Sequence, residues 1–319
     1  MDVEKVDRLP ALRRVPPVAC THGRGGDAAP QCTLHTVNAS DRPPDPNCVS
    51  VTSLGSGSSG NALLVQTPTT TLLVDCGVGV RKLTNALAGC GKRLQDVDAV
   101  LLSHEHVDHN RETGRLQAAG AIIISTRGTA SSSSVTDDNS LRVTQDRSVH
   151  FQGLDITGIP VAHDAVEPCG FLIRTGSATI CVFTDLGSVS GGVSEAVAEA
   201  NLVVLEANHD EQMLRRGPYP MHLQRRILAD TGHLSNTTSA DLLAAALRNA
   251  RLSPTIWLAH LSETNNSPRL AVKTVTKRLA QSGLRLDVEA LPRRETGPTW
   301  RSDARTTAQR QLTLELFSG

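Results

Sequence analysis

Ser103-His104-Glu105-His106-Val107-Asp108-His109 follows directly on the apolar run Ala99-Val100-Leu101-Leu102. Four continuous apolar residues read as a buried strand, and the polar run then begins at the strand's end. Three imidazoles and the Asp108 carboxylate crowd into the six positions from 104 to 109. Gathered on one turn of chain, their lone pairs would repel one another unless cations sat between them. Neutral imidazole nitrogen and carboxylate oxygen are ligands that zinc, manganese and iron accept. The stretch is therefore read as a metal site, and the rest of the chain is tested against it.

Several other apolar runs also end on ligand-type residues. Ile159-Pro160-Val161-Ala162 leads to His163-Asp164, and Ile180-Cys181-Val182-Phe183-Thr184 leads to Asp185. Asn201-Leu202-Val203-Val204-Leu205 leads to Glu206-Ala207-Asn208-His209-Asp210, and Thr255-Ile256-Trp257-Leu258-Ala259 leads to His260. Polar groups at the ends of buried strands are the α/β pattern for a site built on a sheet edge. Helices are expected over Val80–Ala88, Arg111–Ala119, Ser194–Ala200, His222–Asp230, Thr237–Asn249 and Pro268–Gln281. The Ser-rich stretch from Thr126 to about Asn139 is expected to be a mobile loop. Between two early strands, Gly55-Ser56-Gly57-Ser58-Ser59-Gly60-Asn61 suits a close backbone approach to an anion or to the floor of the metal site.

Residues 1–47 are rich in Pro, Gly, Arg and Asp without apolar period, and are expected to be a disordered tail in which His22 and His35 are not ligands. The folded domain is expected over 48–292, closed by a strand at Arg285–Ala290, with a flexible C-terminal tail over 293–319. The 319 residues are 39% apolar but only 2% aromatic, so the core must be built from Leu, Val, Ile and Ala. Lys plus Arg equals Asp plus Glu at 32 each, so no global positive charge announces a polyanion binder. Seven scattered cysteines without a C-x-x-C pair exclude a disulfide framework and a zinc knuckle, and fit reduced thiols in a cytoplasmic protein. No apolar run approaches the ~20 residues of a membrane span, and no signal segment opens the chain, so no membrane partner is expected.

Taken together these residues resemble the metallo-β-lactamase fold, an αββα sandwich of two mixed sheets flanked by helices. His104-x-His106-x-Asp108-His109 matches its signature, and within it the chain resembles the YycJ/WalJ (VicX) group. The pieces that match are Gly57-Ser58-Ser59-Gly60-Asn61, Val74-Asp75-Cys76-Gly77, Ser103 to His106, His163-Asp164, Glu167-Pro168, Thr184-Asp185, Glu206 to Asp210, Gly232 to Asn236 and Leu258 to Ser262. The resemblance implies one divalent ion on His104, His106 and His163, and a second on Asp108, His109 and His260. Asp185 would bridge the two. Zn²⁺, Mn²⁺ and Fe²⁺ all suit such donors. It also implies that Glu206 pairs with His233, which either protonates a leaving oxygen or serves as a hydrogen-bonding support. Asp108, Glu206 and His233 are thus the catalytic candidates.

The group resembled is associated with 5′-to-3′ exonuclease activity on double-stranded DNA and with DNA repair. Asn208 and His209 are expected to line the substrate site. Arg215-Arg216 and Arg225-Arg226 flank Gly217-Pro218-Tyr219-Pro220 and offer local positive charge for a phosphate backbone. Few aromatics argue against a stacking platform for single strands, and Tyr219 and Trp257 read as interior. The segment Gln311-Leu312-Thr313-Leu314-Glu315-Leu316-Phe317 resembles the peptides that dock on the DNA polymerase sliding clamp, with Gln311, Leu312, Leu314, Leu316 and Phe317 as contacts. The competing reading is a hydrolase of a small ester, thioester or cyclic phosphodiester using the same metals.

Overall fold

The computed structural model describes residues 47–304. The first half of the chain runs β1 (Ser50–Gly55), β2 (Ala62–Gln66), β3 (Thr71–Val74), α1 (Val80–Gly89), β4 (Ala99–Leu101), α2 (Val107–Asn110), α3 (Thr113–Ala118), β5 (Ile122–Ser125), α4 (Arg127–Ser132) and β6 (Ser140–Arg142). The second half runs β7 (Val149–Phe151), β8 (Leu154–Pro160), β9 (Cys169–Arg174), β10 (Thr179–Phe183), α5 (Gly191–Glu199), β11 (Leu202–Glu206), α6 (Glu211–Arg216), α7 (Met221–Ile227), α8 (Asn236–Ala246), β12 (Thr255–Ala259), α9 (Pro268–Gln281), β13 (Val288–Ala290) and β14 (Thr299–Arg301). The strands form two seven-stranded mixed sheets, ordered β14-β1-β2-β3-β4-β5-β6 and β13-β12-β11-β10-β9-β8-β7.

Alternation along the strands explains the layering. In β11, Leu202 and Val204 belong to the core between the sheets, while Val203 and Leu205 pack under the helices of the second sheet. In β4, Ala99 and Leu101 face the inter-sheet core, and Val100 packs outward with Leu83, Leu87 and Leu116 of α1 and α3. A strand buried on both faces reads as a continuous apolar run, which is why β4, β5 and β11 were recognisable by composition alone. The largest fully buried side chain, Trp257, fills the inter-sheet core from β12.

The C-terminal ends of β3, β4 and β5 point the same way because these strands pair in parallel, as do β10, β11 and β12. β8 is antiparallel to β9, itself antiparallel to β10, so β8 joins that direction. Every strand that ends on a ligand-type residue therefore delivers it to one edge of the sandwich.

Two expectations are corrected. Thr126 to Asn139 is not a plain loop: Thr126 accepts the Thr129 N–H as the N-cap of α4, and the segment reaches β6, which pairs with β5. The folded body does not stop at 292. β14 pairs antiparallel with β1 through Ser50–Arg301, Val51–Trp300 and Thr52–Thr299. Val49 N–H donates to Ser302 Oγ and Ser302 N–H to Val49 O, both at 2.9 Å. An edge strand was hidden in a polar segment because its one large apolar residue, Trp300, is enough to cover the rim of the core. Residues 1–46 and the clamp-like residues 311–317 lie outside the described residues. Among the described residues the five cysteines are free, and no helix is long and apolar enough to cross a membrane.

Candidate metal centre

Three of the strand ends gathered at this edge carry non-glycine residues in the left-handed region: Asp75 (φ 59°), Asp185 (φ 54°) and His260 (φ 51°). Each such residue costs about 1–3 kcal/mol, and the conformation persists only where the surroundings fix it. All three lie at the site edge, where the turn aims the side chain back across the strand ends. Gly77 lets the chain after β3 lie against the metal motif: a Cβ there would come within 1.7 Å of Asp108 O.

The donor atoms converge in two clusters, His104 with His106 and His163, and Asp108 with His109 and His260. In the first, His106 Nδ1 lies 3.1 Å from His104 Nε2 and 3.3 Å from His163 Nε2. In the second, Asp108 Oδ2 is 3.6 Å from His109 Nε2 and 3.7 Å from His260 Nε2. Asp185 stands between them, with Oδ2 2.9 Å from His109 Nε2 and Oδ1 3.9 Å from His163 Nε2.

The opposite ring nitrogens are anchored, which sets the tautomers. His109 Nδ1 donates to Asp75 Oδ2 at 2.7 Å. Ser103 Oγ donates to the same carboxylate oxygen at 3.0 Å and accepts from His104 Nδ1 at 3.0 Å. Asp75 therefore orients one histidine in each cluster. His163 Nδ1 faces Gly232 O at 3.3 Å, and His260 Nδ1 donates to Glu206 Oε1 at 2.9 Å. Each anchored ring turns Nε2 inward with its lone pair, the arrangement that metal-binding histidines require. His260 Nε2 is buried with no hydrogen-bond partner, and Asp185 Oδ2 is buried with only the His109 Nε2 beside it at 2.9 Å. Buried polar atoms placed in this way are costly, and a divalent cation satisfies both. The donor set fits divalent metal ions.

The electrostatics agree. Burial holds His104 well below the ordinary imidazole value, with the neighbouring His109 adding to the effect. Burial also opposes charge on His260, yet the carboxylates of Asp185, Asp108 and Glu206 lift it to about 10. Asp185 is depressed well below the carboxylate range despite its burial, because His260 and His109 face it.

Glu206 is fully buried, and four donors reach it. Its Oε2 accepts the N–H groups of Leu186 and Leu234, both at 3.1 Å. Its Oε1 accepts Nδ1 of His260 and of His233, both at 2.9 Å. Burial would raise this carboxylate, but His233 and the hydrogen bonds lower it to about 2. The His233 side chain is 21% exposed, and burial's opposition to its charge is outweighed by Glu206. The Glu206–His233 contact that the resemblance implies is present at 2.9 Å.

The Gly/Ser segment serves as floor. Ser56 Oγ accepts the His260 N–H at 2.8 Å, and Asn61 N–H donates to Asp108 O at 2.8 Å. The cleft above has a volume of about 310 Å³ and is lined by His106, Asp108, His163, Asp185, His233 and His260. Ser58, Asn208, Tyr219, Leu223, Arg226 and Ile227 complete its rim. Asn208 lines the cleft, and its amide nitrogen donates to His260 O at 2.9 Å. His209 does not line the cleft: it is 1% exposed, beneath the surface. Arg215 and Arg216 are exposed on α6 and also stay outside the cleft. Arg226 takes their place at the rim, paired with Asp164 Oδ2 at 2.6 Å. His150 and His222 are exposed and lie outside the cleft lining.

A profile of the β-lactamase superfamily domain matches residues 70–257. The exodeoxyribonuclease WalJ of Streptococcus pneumoniae is 34% identical over 244 residues, covering 74% of this chain and 90% of the relative. The chain belongs to the β-lactamase superfamily, in the WalJ/YycJ group. The exodeoxyribonuclease YycJ of Bacillus anthracis is 31% identical over 251 residues, 77% of this chain and 94% of that one. Among solved structures, the metallo-β-lactamase fold protein YhfI of Bacillus subtilis superposes with a TM-score of 0.61 at 20% identity, over 80% of this chain and 99% of that chain. Its likeness shows the metallo-β-lactamase fold that the WalJ/YycJ group shares.

Proposed function

We propose that this chain is a metal-dependent phosphodiesterase that degrades double-stranded DNA from its 5′ ends, with a role in DNA repair. The observation that carries the reading is the full set of seven inward-facing donors in a chain whose relatives at 31–34% identity are named exodeoxyribonucleases. His104, His106 and His163 would hold one ion, Asp108, His109 and His260 a second, and Asp185 would reach both. Two such ions supply an acidified water and charge stabilisation for an in-line displacement at phosphorus. Zn²⁺ and Mn²⁺ both suit the nitrogen and oxygen donors.

The chain's own groups do the remaining work. Asp75 keeps His104 and His109 in the ligating tautomer. Glu206 holds the His233 Nδ1 proton, so that Nε2 can carry a second proton to the leaving oxygen. Arg226 brings positive charge to the rim without displacing a ligand.

A 5′-labelled duplex incubated with Mn²⁺, beside a His106→Ala control, tests the reading. Mononucleotide release that the variant loses is expected. No release with Mn²⁺ or Zn²⁺ would turn the reading toward a small-molecule hydrolase. The sliding clamp is proposed as a partner through Gln311, Leu312, Leu314, Leu316 and Phe317. Deleting 311–319 is expected to abolish clamp pull-down while leaving activity on free DNA intact; retained binding would remove the clamp from the proposal.

A further inference from the structure

The non-ligand wall of the cleft is unlike the rest of the site. Tyr219, Leu223 and Ile227 line it side by side, all from α7 and the turn that precedes it. Tyr219 is the chain's single tyrosine, and it is half-buried at the rim rather than interior. Its presentation is rigid. Pro218 and Pro220 flank it, and a residue before proline is confined to extended backbone. Gln224 Nε2 donates to Tyr219 O at 2.8 Å, tying the turn to the helix that it opens. Gly217 admits no side chain, since a Cβ would lie 2.6 Å from Met213 O and 2.8 Å from Asn265 Oδ1. A backbone constrained in this way leaves only the side-chain torsions to be ordered when something stacks on the ring.

The depth of the donors adds a steric condition. His104, Asp185 and His260 are 1–3% exposed, whereas the Asp108 side chain is 22% exposed, so a scissile phosphate reaches the deeper donors by entering the cleft. At about 310 Å³ the cleft lies at the small end of cavities that hold one drug-sized ligand. A volume of that size accommodates one nucleotide. A terminal nucleotide freed from its partner strand can enter such a cleft, and opening one terminal pair costs about a few kcal/mol.

Resting on the nuclease reading above, we infer that Tyr219, Leu223 and Ile227 form a subsite for one unpaired nucleobase. The terminal nucleotide leaves its partner strand and lays its base on this wall while its phosphodiester reaches the donors. Stacking on a π-face is indifferent to base identity, which suits processive removal of any sequence. Arg226, beside Tyr219 on the rim and already paired with Asp164, supplies charge next to the extruded nucleotide.

The test is a cycle of two enzymes and two substrates. Full-length wild type and Tyr219→Ala are each given a duplex with a normal 5′-terminal nucleotide and one whose terminal nucleotide lacks its base. Tyr219→Ala is expected to lower kcat/KM on the normal duplex by ~10-fold, the scale of one base–aromatic stack. Removing the base is expected to slow wild type by a similar factor but to leave Tyr219→Ala almost unaffected. Tyr219→Trp should retain the wild-type pattern. Additive losses, or a Tyr219→Ala enzyme as fast as wild type on the normal duplex, would overturn the subsite. A wild type that degrades neither duplex overturns the nuclease reading, and the subsite falls with it.

Discussion

Asp75 and Glu206 are the residues on which the site's order depends, although neither belongs to the proposed ligand set. Asp75 reaches His109 directly and His104 through Ser103, one histidine in each cluster. Glu206 gathers His233 and His260 on one oxygen. Such outer partners commonly change metal affinity or activity by about 10–100-fold when lost. The role of His233 can be separated from mere support by the leaving group. His233→Ala is expected to slow DNA cleavage by ~10²-fold or more, the scale of general-acid catalysis. Bis(p-nitrophenyl) phosphate, whose leaving group departs without a proton, should be hydrolysed at nearly the wild-type rate. Equal losses on both substrates in a steady-state assay would reduce His233 to support. The seven proposed ligands stood in the sequence as polar residues after apolar runs, but it was the resemblance, not the runs, that grouped them as a ligand set. Asp75 stood out less: a single carboxylate after a strand reads the same whether it orients two rings or caps a turn.

At the scale of elements, long runs buried on both faces declared themselves, and α9 over Pro268–Gln281 coincides with its expected span. Short polar elements did not. β14 has three residues and a single apolar anchor, so its pairing with β1 depends on a partner some 250 positions away, which no local pattern can report. The same holds for Tyr219, whose place on the cleft wall is set by the α6–α7 turn. Truncation after Pro298 is expected to cost about 2 kcal/mol or more in urea unfolding, from lost ladder bonds and exposure of the rim around Trp300. Truncation after Ala304 should leave the midpoint unchanged. Identical midpoints for the two would show that the edge strand contributes nothing.

For the whole molecule, the ligands come from strand ends of both sheets, so the site exists only after the sandwich has closed. Metal should not be needed for folding, in contrast to small zinc domains. Chelation is expected to remove the ions and lower the melting temperature while leaving the circular dichroism spectrum in place. The pH dependence should then invert between the two forms. In the metal-free chain Glu206, lowered to about 2 from 4.5, contributes stability that is complete above about 4.5 and lost as pH falls toward 2. His260, raised to about 10 from 6.5, contributes stability that is complete below 6.5 and lost as pH rises through 10. The chelated protein is therefore expected to melt highest between about pH 4.5 and 6.5. The loaded protein should weaken in that window, because protons displace cations from imidazole. Melting curves of both forms from pH 4 to 10 check this; parallel profiles would contradict it.

Val49 and Ser302 clasp each other at the rim of the first sheet through two reciprocal hydrogen bonds. The described body thus begins and ends at one address. A tag, a tether or a partner attached beyond Ala304 arrives beside whatever is attached ahead of Asn47, and the pair of exits acts as a single mooring point. Joining them through a few flexible residues, and opening the chain at the exposed turn of Gly91 instead, would reorder the sequence without rerouting a strand in either sheet.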